Sequence, residues 1–418
     1  MDFGGHSMTT TTTLTRQDAP HRRGSPGYTR ITLALFAAGL TAFISMYSTQ
    51  ALLPALAQDF AVPPGTAALA VSVTTGVLAL AIIPASVLSE RFGRTRVMVW
   101  SAVLSCAVGL VLPLSPTIEW LLVGRVVQGV ALAGIPAVAM AYLAEEVHGR
   151  DLGAAMGRYV AGTTIGGLLG RLIPSTVLDM STWRWAMEAS AVAAVLLTVV
   201  MAKTMPGSRF FRPKRVSWGT VTANLILHLR NRDLRVLFAL GFILMGGFVS
   251  AYNFLGFRLL APPFDLTEAA VGAVFLLYLS GTVTAAVAGR LGDLVGRRWV
   301  LLAAVCVSAV GLVVTLPDVL ALVLVGMLLF TGGFFAAHSV ASGWVGALAT
   351  EHRAEASSLY LCAYYLGSSL AAAGAGLAFG WGGWTATVAY VGALLLAAIW
   401  LSLLMLWTPE VRRADAPA

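Results

Sequence analysis

Charge is the scarcest commodity in this sequence: only 11% of its 418 residues are Asp, Glu, Lys or Arg, against about 25% in an ordinary soluble domain. Lysine is almost absent, with Lys203 and Lys214 alone. Neither sits in a G-x-x-x-x-G-K-[S/T] phosphate cradle, so an ATP-driven cycle is excluded. Cysteine is limited to Cys106, Cys306 and Cys362, each isolated within apolar sequence. Such a set builds neither a disulfide framework nor a zinc site, and the three read as apolar filler. A short apolar core followed by a small-residue cleavage site is missing from the first 29 residues, so no signal peptide is expected.

Apolar residues are abundant instead, at 58% of the chain. A soluble core stops growing near ~250–300 residues and could not absorb them. The roughly 240 apolar residues would supply a dozen membrane helices of ~20 residues. Spanning stretches recur at 31–53, 67–88, 97–115, 118–142, 153–175 and 184–203, and again at 235–258, 267–289, 298–316, 319–344, 354–378 and 384–407. The expected fold is an all-α integral membrane protein of twelve transmembrane helices, since a helix satisfies its own backbone in hydrocarbon. Residues 1–29 and 408–418 read as cytoplasmic tails, the first one disordered. Residues 30–203 and 234–407 read as six-helix bundles, and 204–233 as a cytoplasmic linker with an amphipathic helix near Val221–Leu229.

The formal charge of +8 is a matter of placement. One set of loops carries Arg91, Arg94, Arg96, Arg150, Arg290, Arg297, Arg298 and Arg353, and the linker adds eight more basic residues. The alternate loops carry Asp59, Glu119, Asp179, Asp265, Glu268 and Asp318. The positive-inside rule puts the first set and both termini in the cytoplasm of a cell (inner) membrane protein, which leaves no nucleic-acid footprint to explain.

The two halves repeat. Glu90 and Gly93 recur as Asp293 and Gly296, a shift of 203 residues (293 less 90), and the same shift pairs Arg150 with Arg353, Gly129 with Gly332 and Gln50 with Asn253. Six spans and a same-side linker preserve orientation, so the repeats are parallel, with a substrate site expected between them near the midplane.

These residues carry a resemblance. Gly289, Asp293, Gly296, Arg297 and Arg298 match the loop pattern G-x-x-x-D-R/K-x-G-R-R/K of the major facilitator superfamily, and Ser86, Glu90, Arg91, Gly93 and Arg94 form a looser first-half copy. Arg125, Gln128 and Gly129 match R-x-x-Q-G. Gly162, Gly166, Gly167 and Gly170 resemble the fifth-helix pattern G-x-x-x-G-P-x-x-G of its twelve-helix drug:proton antiporter branch, with Gly167 in place of proline. The strings Phe334 to Ser342 and Ser357 to Gly367 resemble a YnfM-like group of bacterial inner-membrane exporters. The resemblance implies alternating-access, proton-coupled export of a small compound such as a drug, sugar or metabolite. A passive uniporter, an uptake symporter and a non-transporting sensor remain alternatives. No enzymatic activity, cofactor or metal is expected. The expected partners are a small-molecule substrate, a proton as coupling ion and the lipid bilayer, and the chain is read as a monomer. One proton crossing 100 mV supplies about 2.3 kcal/mol, roughly a forty-fold concentration ratio.

Within that frame, Glu90, Arg91, Arg94, Asp293, Arg297 and Arg298 read as a cytoplasmic gate or as simple inside-rule charge. Arg125 is a permanent cation deep in the fourth span, suited to tuning an acid, holding an anion or anchoring helix ends. Gly162, Gly166 and Gly170 share a face for close packing or sliding. Glu188 is the carboxylate placed inside the outer half, and an Arg171–Glu188 pair would satisfy both charges. His338 titrates in the useful range, or is a structural hydrogen-bonding residue. Tyr159, Thr163, Tyr278, Tyr364 and Tyr365 fall near the midplane, with Gln50, Tyr252 and Asn253 toward the outer ends. They read as a ligand wall or as packing. Arg125, Arg171 and Arg258 outnumber Glu188, so neutral or anionic cargo is expected.

Overall fold

A computed structural model describes residues 20–211 and 218–407, and among them there is no strand, only an isolated bridge between His21 and Val147. The helices in chain order are α1 (Pro26–Tyr47), α2 (Leu53–Asp59), α3 (Pro64–Phe92), α4 (Arg94–Val111), α5 (Ile118–Leu132), α6 (Gly134–Glu146), α7 (Gly149–Leu178), α8 (Trp183–Thr204), α9 (Trp218–Arg230), α10 (Arg232–Leu260), α11 (Glu268–Val274), α12 (Tyr278–Val295), α13 (Arg297–Val314), α14 (Leu320–Leu348) and α15 (Arg353–Leu404). Ten helical stretches among the described residues are long and apolar enough to cross a membrane. The count reaches twelve for two physical reasons. α7 is too rich in glycine and arginine to register as apolar. α15 is two crossings run together, broken where Gly382 and Gly383 leave helical geometry. α5 with α6, and α11 with α12, each make one crossing interrupted midway.

Helix starts follow capping chemistry. Ser25 accepts from Tyr28 N ahead of Pro26, Asn231 accepts from Asp233 N and Leu234 N, and Thr267 accepts from Ala270 N. Between α3 and α4 the chain reverses at Gly93, with φ 96° and ψ 145°; between α12 and α13 it does so at Gly296, with φ 95° and ψ 135°. That region is essentially closed to residues with a Cβ, which explains why both copies of the loop motif carry glycine.

α1 begins at Pro26, ahead of the expected boundary at residue 30. Residues before it are tied down: His21 N donates to Glu146 O (2.8 Å), His148 N to His21 O (3.0 Å), and Arg23 N to Asp151 Oδ2 (3.0 Å). Of the tails expected at 1–29 and 408–418, residues 1–19 and 408–418 lie outside the described residues, as do Arg212, Lys214 and Arg215. α9 replaces the expected stretch 221–229 with a slightly longer helix and lies against the second half, with His228 Nε2 bonded to His352 O (3.1 Å) and Asn224 Nδ2 donating to Glu355 Oε1 (3.2 Å). Each half thus clasps its own loop before the fifth span with the segment that leads into its first.

Residues 21, 146–151, 205–211 and 224–228 share one side of the membrane-spanning body, here called the linker side; the opposite end is the far side. The halves meet on the far side. A Cβ on Gly272 of α11 would collide with Ser175 of α7, and one on Gly65 of α3 would lie 3.2 Å from the backbone of Gly376 in α15. Asp179 Oδ1 accepts from Ala269 N (3.3 Å). On the linker side they part: Gly153 and Gly157, on the same face of α7 as Arg171, and Gly289, on the same face of α12 as Tyr278, have open space where a side chain would point. In a protein whose three cysteines are replaced by serine, Gly157→Cys and Gly289→Cys are expected to react with a membrane-impermeant maleimide from the linker side only. Ser175→Cys should stay unreactive from both sides in this state. Equal labelling of Ser175→Cys would contradict a sealed far side.

Candidate functional site

The centre of the molecule is a junction where both halves contribute. Gln50, in the short turn after α1, donates from Nε2 to Asn253 Oδ1 of α10 at 2.7 Å, and its Oε1 accepts from Arg171 Nε of α7 at 2.7 Å. Gln50 and Asn253 are repeat equivalents, 203 residues apart. Two residues exchanged by a two-fold axis touch only if they lie on it, so this bond marks the axis between the bundles. Arg171 is 2% exposed. It lies over the rings of Tyr47 (4.1 Å), Tyr278 (4.5 Å) and Phe275 (5.2 Å).

From Arg171 an aromatic belt runs through the second bundle toward the linker side. Tyr278 and Tyr252 stack edge to face at 4.8 Å, Phe248 bridges Tyr252 (4.9 Å) and Phe334 (3.9 Å), and Phe334 leads to His338 (6.0 Å). His338 Nδ1 is hydrogen-bonded to Tyr360 Oη (2.9 Å) and its ring packs on Tyr364 (4.6 Å), which meets Tyr365 (5.2 Å). Tyr252 Oη is bonded to Thr331 Oγ1 (2.7 Å). The structure therefore gathers Gln50, Arg171, Tyr252, Asn253, Tyr278, His338, Tyr364 and Tyr365 into one continuous surface. Tyr47, Phe248, Phe275 and Phe334 escape a search for polar residues. For Phe248 and Phe334 the signal is helical spacing: 248 with 252 and 334 with 338 are four apart and share a face.

Other candidates lie elsewhere. Arg125, fully buried, donates from Nε to Ala70 O (2.8 Å), from Nη1 to Ser45 O (2.8 Å) and Gln128 Oε1 (2.5 Å), and from Nη2 to Met46 O (2.6 Å). Gln128 in turn donates to Ser105 O (3.2 Å). This pair fastens α5 to α1, α3 and α4, with four bonds filled from inside the first bundle. Tyr159 is buried on α7. Thr163 donates to its own helix at Val160 O (2.7 Å), and its backbone packs against Gly39 of α1.

The expected Arg171–Glu188 pair does not form. Arg171 is turned toward Gln50 and the rings, while Glu188 is half-buried on α8. Arg184, near Glu188, pairs with Asp59 instead (3.0 Å). Arg258 does not join the junction: it caps the α13–α14 turn, bonding Leu316 O (3.1 Å), Pro317 O (3.0 Å) and Asp318 (3.0 Å).

The loop motif forms its ion pairs inside each bundle. Arg94 donates to Glu90 (2.6 Å), Ser89 Oγ (2.6 Å) and Glu145 (2.9 Å), the last a carboxylate on α6 that the motif does not include. In the second copy Arg297 lies 3.8 Å from Asp293, and Arg298 donates to Leu406 O (3.0 Å). Arg91 is exposed over the ring of Phe92. With the linker side parted, these named contacts tie α3 to α4 and α6, and α12 to α13, each within its own half.

Comparison with known proteins agrees with this architecture. The family model of the Major Facilitator Superfamily matches residues 35–261 and again 237–418. The inner membrane transport protein YnfM of Escherichia coli K12 is 40% identical over 378 residues, covering 90% of this chain and 91% of that one. The uncharacterized MFS-type transporter YybF of Bacillus subtilis 168 is 38% identical over 381 residues, covering 91% and 94%. Among solved structures, the nucleoside transporter NupG superposes with a TM-score of 0.75 at 15% identity, covering 90% of this chain and 99% of that one, a likeness of fold. The chain belongs to the major facilitator superfamily and is a multi-pass membrane transporter.

Proposed function

We propose that the protein exports a small organic compound across the cytoplasmic membrane in exchange for protons, with its linker side and both termini in the cytoplasm. The observation that carries this reading is the far-side seal at Ser175–Gly272 and Gly65–Gly376, combined with a parted linker side and a polar, aromatic junction between them. Such a body gives access from one compartment at a time, and rocking of the bundles exchanges the compartment. Arginine-rich linker-side loops support the orientation. For the proton, the belt offers His338, an imidazole whose Nδ1 is bonded to Tyr360 Oη. The glycine motif on α7 supports the antiport class, and the similarity to the inner membrane transport protein YnfM supports the choice of membrane.

The test is flux into proteoliposomes loaded with buffer and given an imposed pH gradient, using a panel of labelled organic acids, sugars and neutral drugs. Gradient-driven accumulation is expected for a subset and should collapse with a protonophore. In His338→Gln, accumulation should fall about ten-fold, the loss of roughly 1.4 kcal/mol of drive, while substrate counterflow persists. Flux indifferent to the gradient would replace antiport with uniport. Binding without any flux would favour a sensor.

A further inference from the structure

The junction holds donors in excess of its acceptors. Arg171 has five N–H groups and makes two hydrogen bonds, from Nε to Gln50 Oε1 and from Nη1 to Gly167 O, both to neutral acceptors. The contrast with Arg125 is direct, because that residue fills four bonds from carbonyl and amide oxygens around it. No carboxylate among the described residues pairs with Arg171: Asp59 is taken by Arg184, and Asp179 accepts from Ala269 N. Beside it, Asn253 commits Oδ1 to Gln50 but its Nδ2 is buried without a partner, and the Tyr278 hydroxyl is buried without one as well. Asn253 is 1% exposed and Tyr278 6%.

A buried cation without an anion is costly, and ring faces offset only part of that cost. Three groups from α7, α10 and α12 thus offer unfilled N–H and O–H donors and one uncompensated positive charge. A planar acceptor with two oxygens and one negative charge complements them, and a guanidinium binds it best through paired bonds. Around this polar patch stand Phe248, Tyr252 and Phe275, which suit an apolar or aromatic body.

Resting on the transporter reading above, we propose that Arg171, Asn253 and Tyr278 form a binding site for the carboxylate of a small organic acid whose body lies on the aromatic belt. Both bundles supply donors, so the ligand bridges the interface that must open and close. The class predicted is a monocarboxylate with an aromatic or short aliphatic body, in preference to its neutral amide and to lipophilic cations.

Calorimetry and thermal shift on the purified full-length protein test this with acetate, hexanoate, benzoate and cinnamate, each beside its amide, and with sodium chloride as an inorganic anion. At least one carboxylate is expected to raise the melting midpoint while its amide and chloride do not. Arg171→Gln should weaken that binding about ten-fold or more, the scale of a charge-assisted hydrogen bond. The isosteric Asn253→Asp should do the same by placing a like charge at the site, and it carries the test if Arg171→Gln fails to fold. Carboxylates binding no better than their amides, or an Arg171→Gln protein binding as the parent does, would overturn the site. A full response to chloride alone would reduce it to an inorganic anion site and overturn the organic-acid assignment. These readouts are independent of flux: transport without charge-selective binding removes this site but not the transporter, and binding without transport does the reverse.

Discussion

Arg125→Ala is expected to destroy the first bundle's cohesion and not merely its transport. The substitution removes four hydrogen bonds from one guanidinium, to the carbonyls of Ser45, Met46 and Ala70 and the amide oxygen of Gln128, and leaves Ser45 O and Ala70 O only the longer side-chain bonds from Ser48, Thr49 and Thr74. A hydrogen bond from a charged group is worth roughly 1.5–3 kcal/mol, and the loss of four sums to on the order of 5 kcal/mol once the remaining donors are allowed for. The melting midpoint in detergent should drop by about 10 °C or more. Arg125→Lys should recover only a minority of this, because a point-charge ammonium cannot reach carbonyls on both α1 and α3 together with Gln128. A near-normal midpoint with transport abolished would instead place Arg125 in the substrate or proton path.

The second large effect concerns α7. A Cβ on Gly162 would sit 2.5 Å from Phe36 O, one on Gly166 2.8 Å from the Leu40 backbone, and one on Gly170 2.9 Å from Ile44. Backbone is pressed on backbone, so no rotamer change relieves the clash. Gly162→Val or Gly166→Val must push α1 from α7, with an overpacking cost of about 3 kcal/mol or more and a midpoint lowered by about 10 °C. Gly167 is the control. A Cβ there would meet Arg171 Nη1 at 3.4 Å and Phe43 at 3.6 Å, ordinary contacts that side-chain ends can yield. Gly167→Ala should change the midpoint by less than about 2 °C. Comparable damage at 162 and 167 would mean that α7 needs conformational freedom more than close approach.

The span count and the repeat were readable from the sequence because they follow from apolar length and from the recurrence of the loop motif, which act residue by residue. Splitting at Pro113–Pro116 and at Pro317–Asp318 matches the ends of α4 and α13 for the same local reason. Pairings between spans were harder. Arg171 and Glu188 share a depth, but depth is one coordinate; the rotation of α7 and α8 decides the partner, and it gave Arg171 to Gln50. Arg125 illustrates the complementary difficulty: its partners are main-chain oxygens, which leave no mark in a sequence. The Gln50–Asn253 bond was foreshadowed by their shared shift, because symmetry carries positional information that hydropathy lacks.

The connection between the halves has one more implication. Pro206 O accepts from Tyr142 Oη (2.8 Å), and the N–H groups of Arg209 and Phe210 donate to Glu146, so the chain up to residue 211 travels with the first bundle. From Trp218 onward it travels with the second, held at His352 and Glu355. Seven Cα–Cα steps separate 211 from 218, and at the ~3.3–3.6 Å reach of an extended chain they cover at most about 25 Å. The two anchor points, at 211 on the first bundle and 218 on the second, can therefore separate by no more than that distance however the bundles rock.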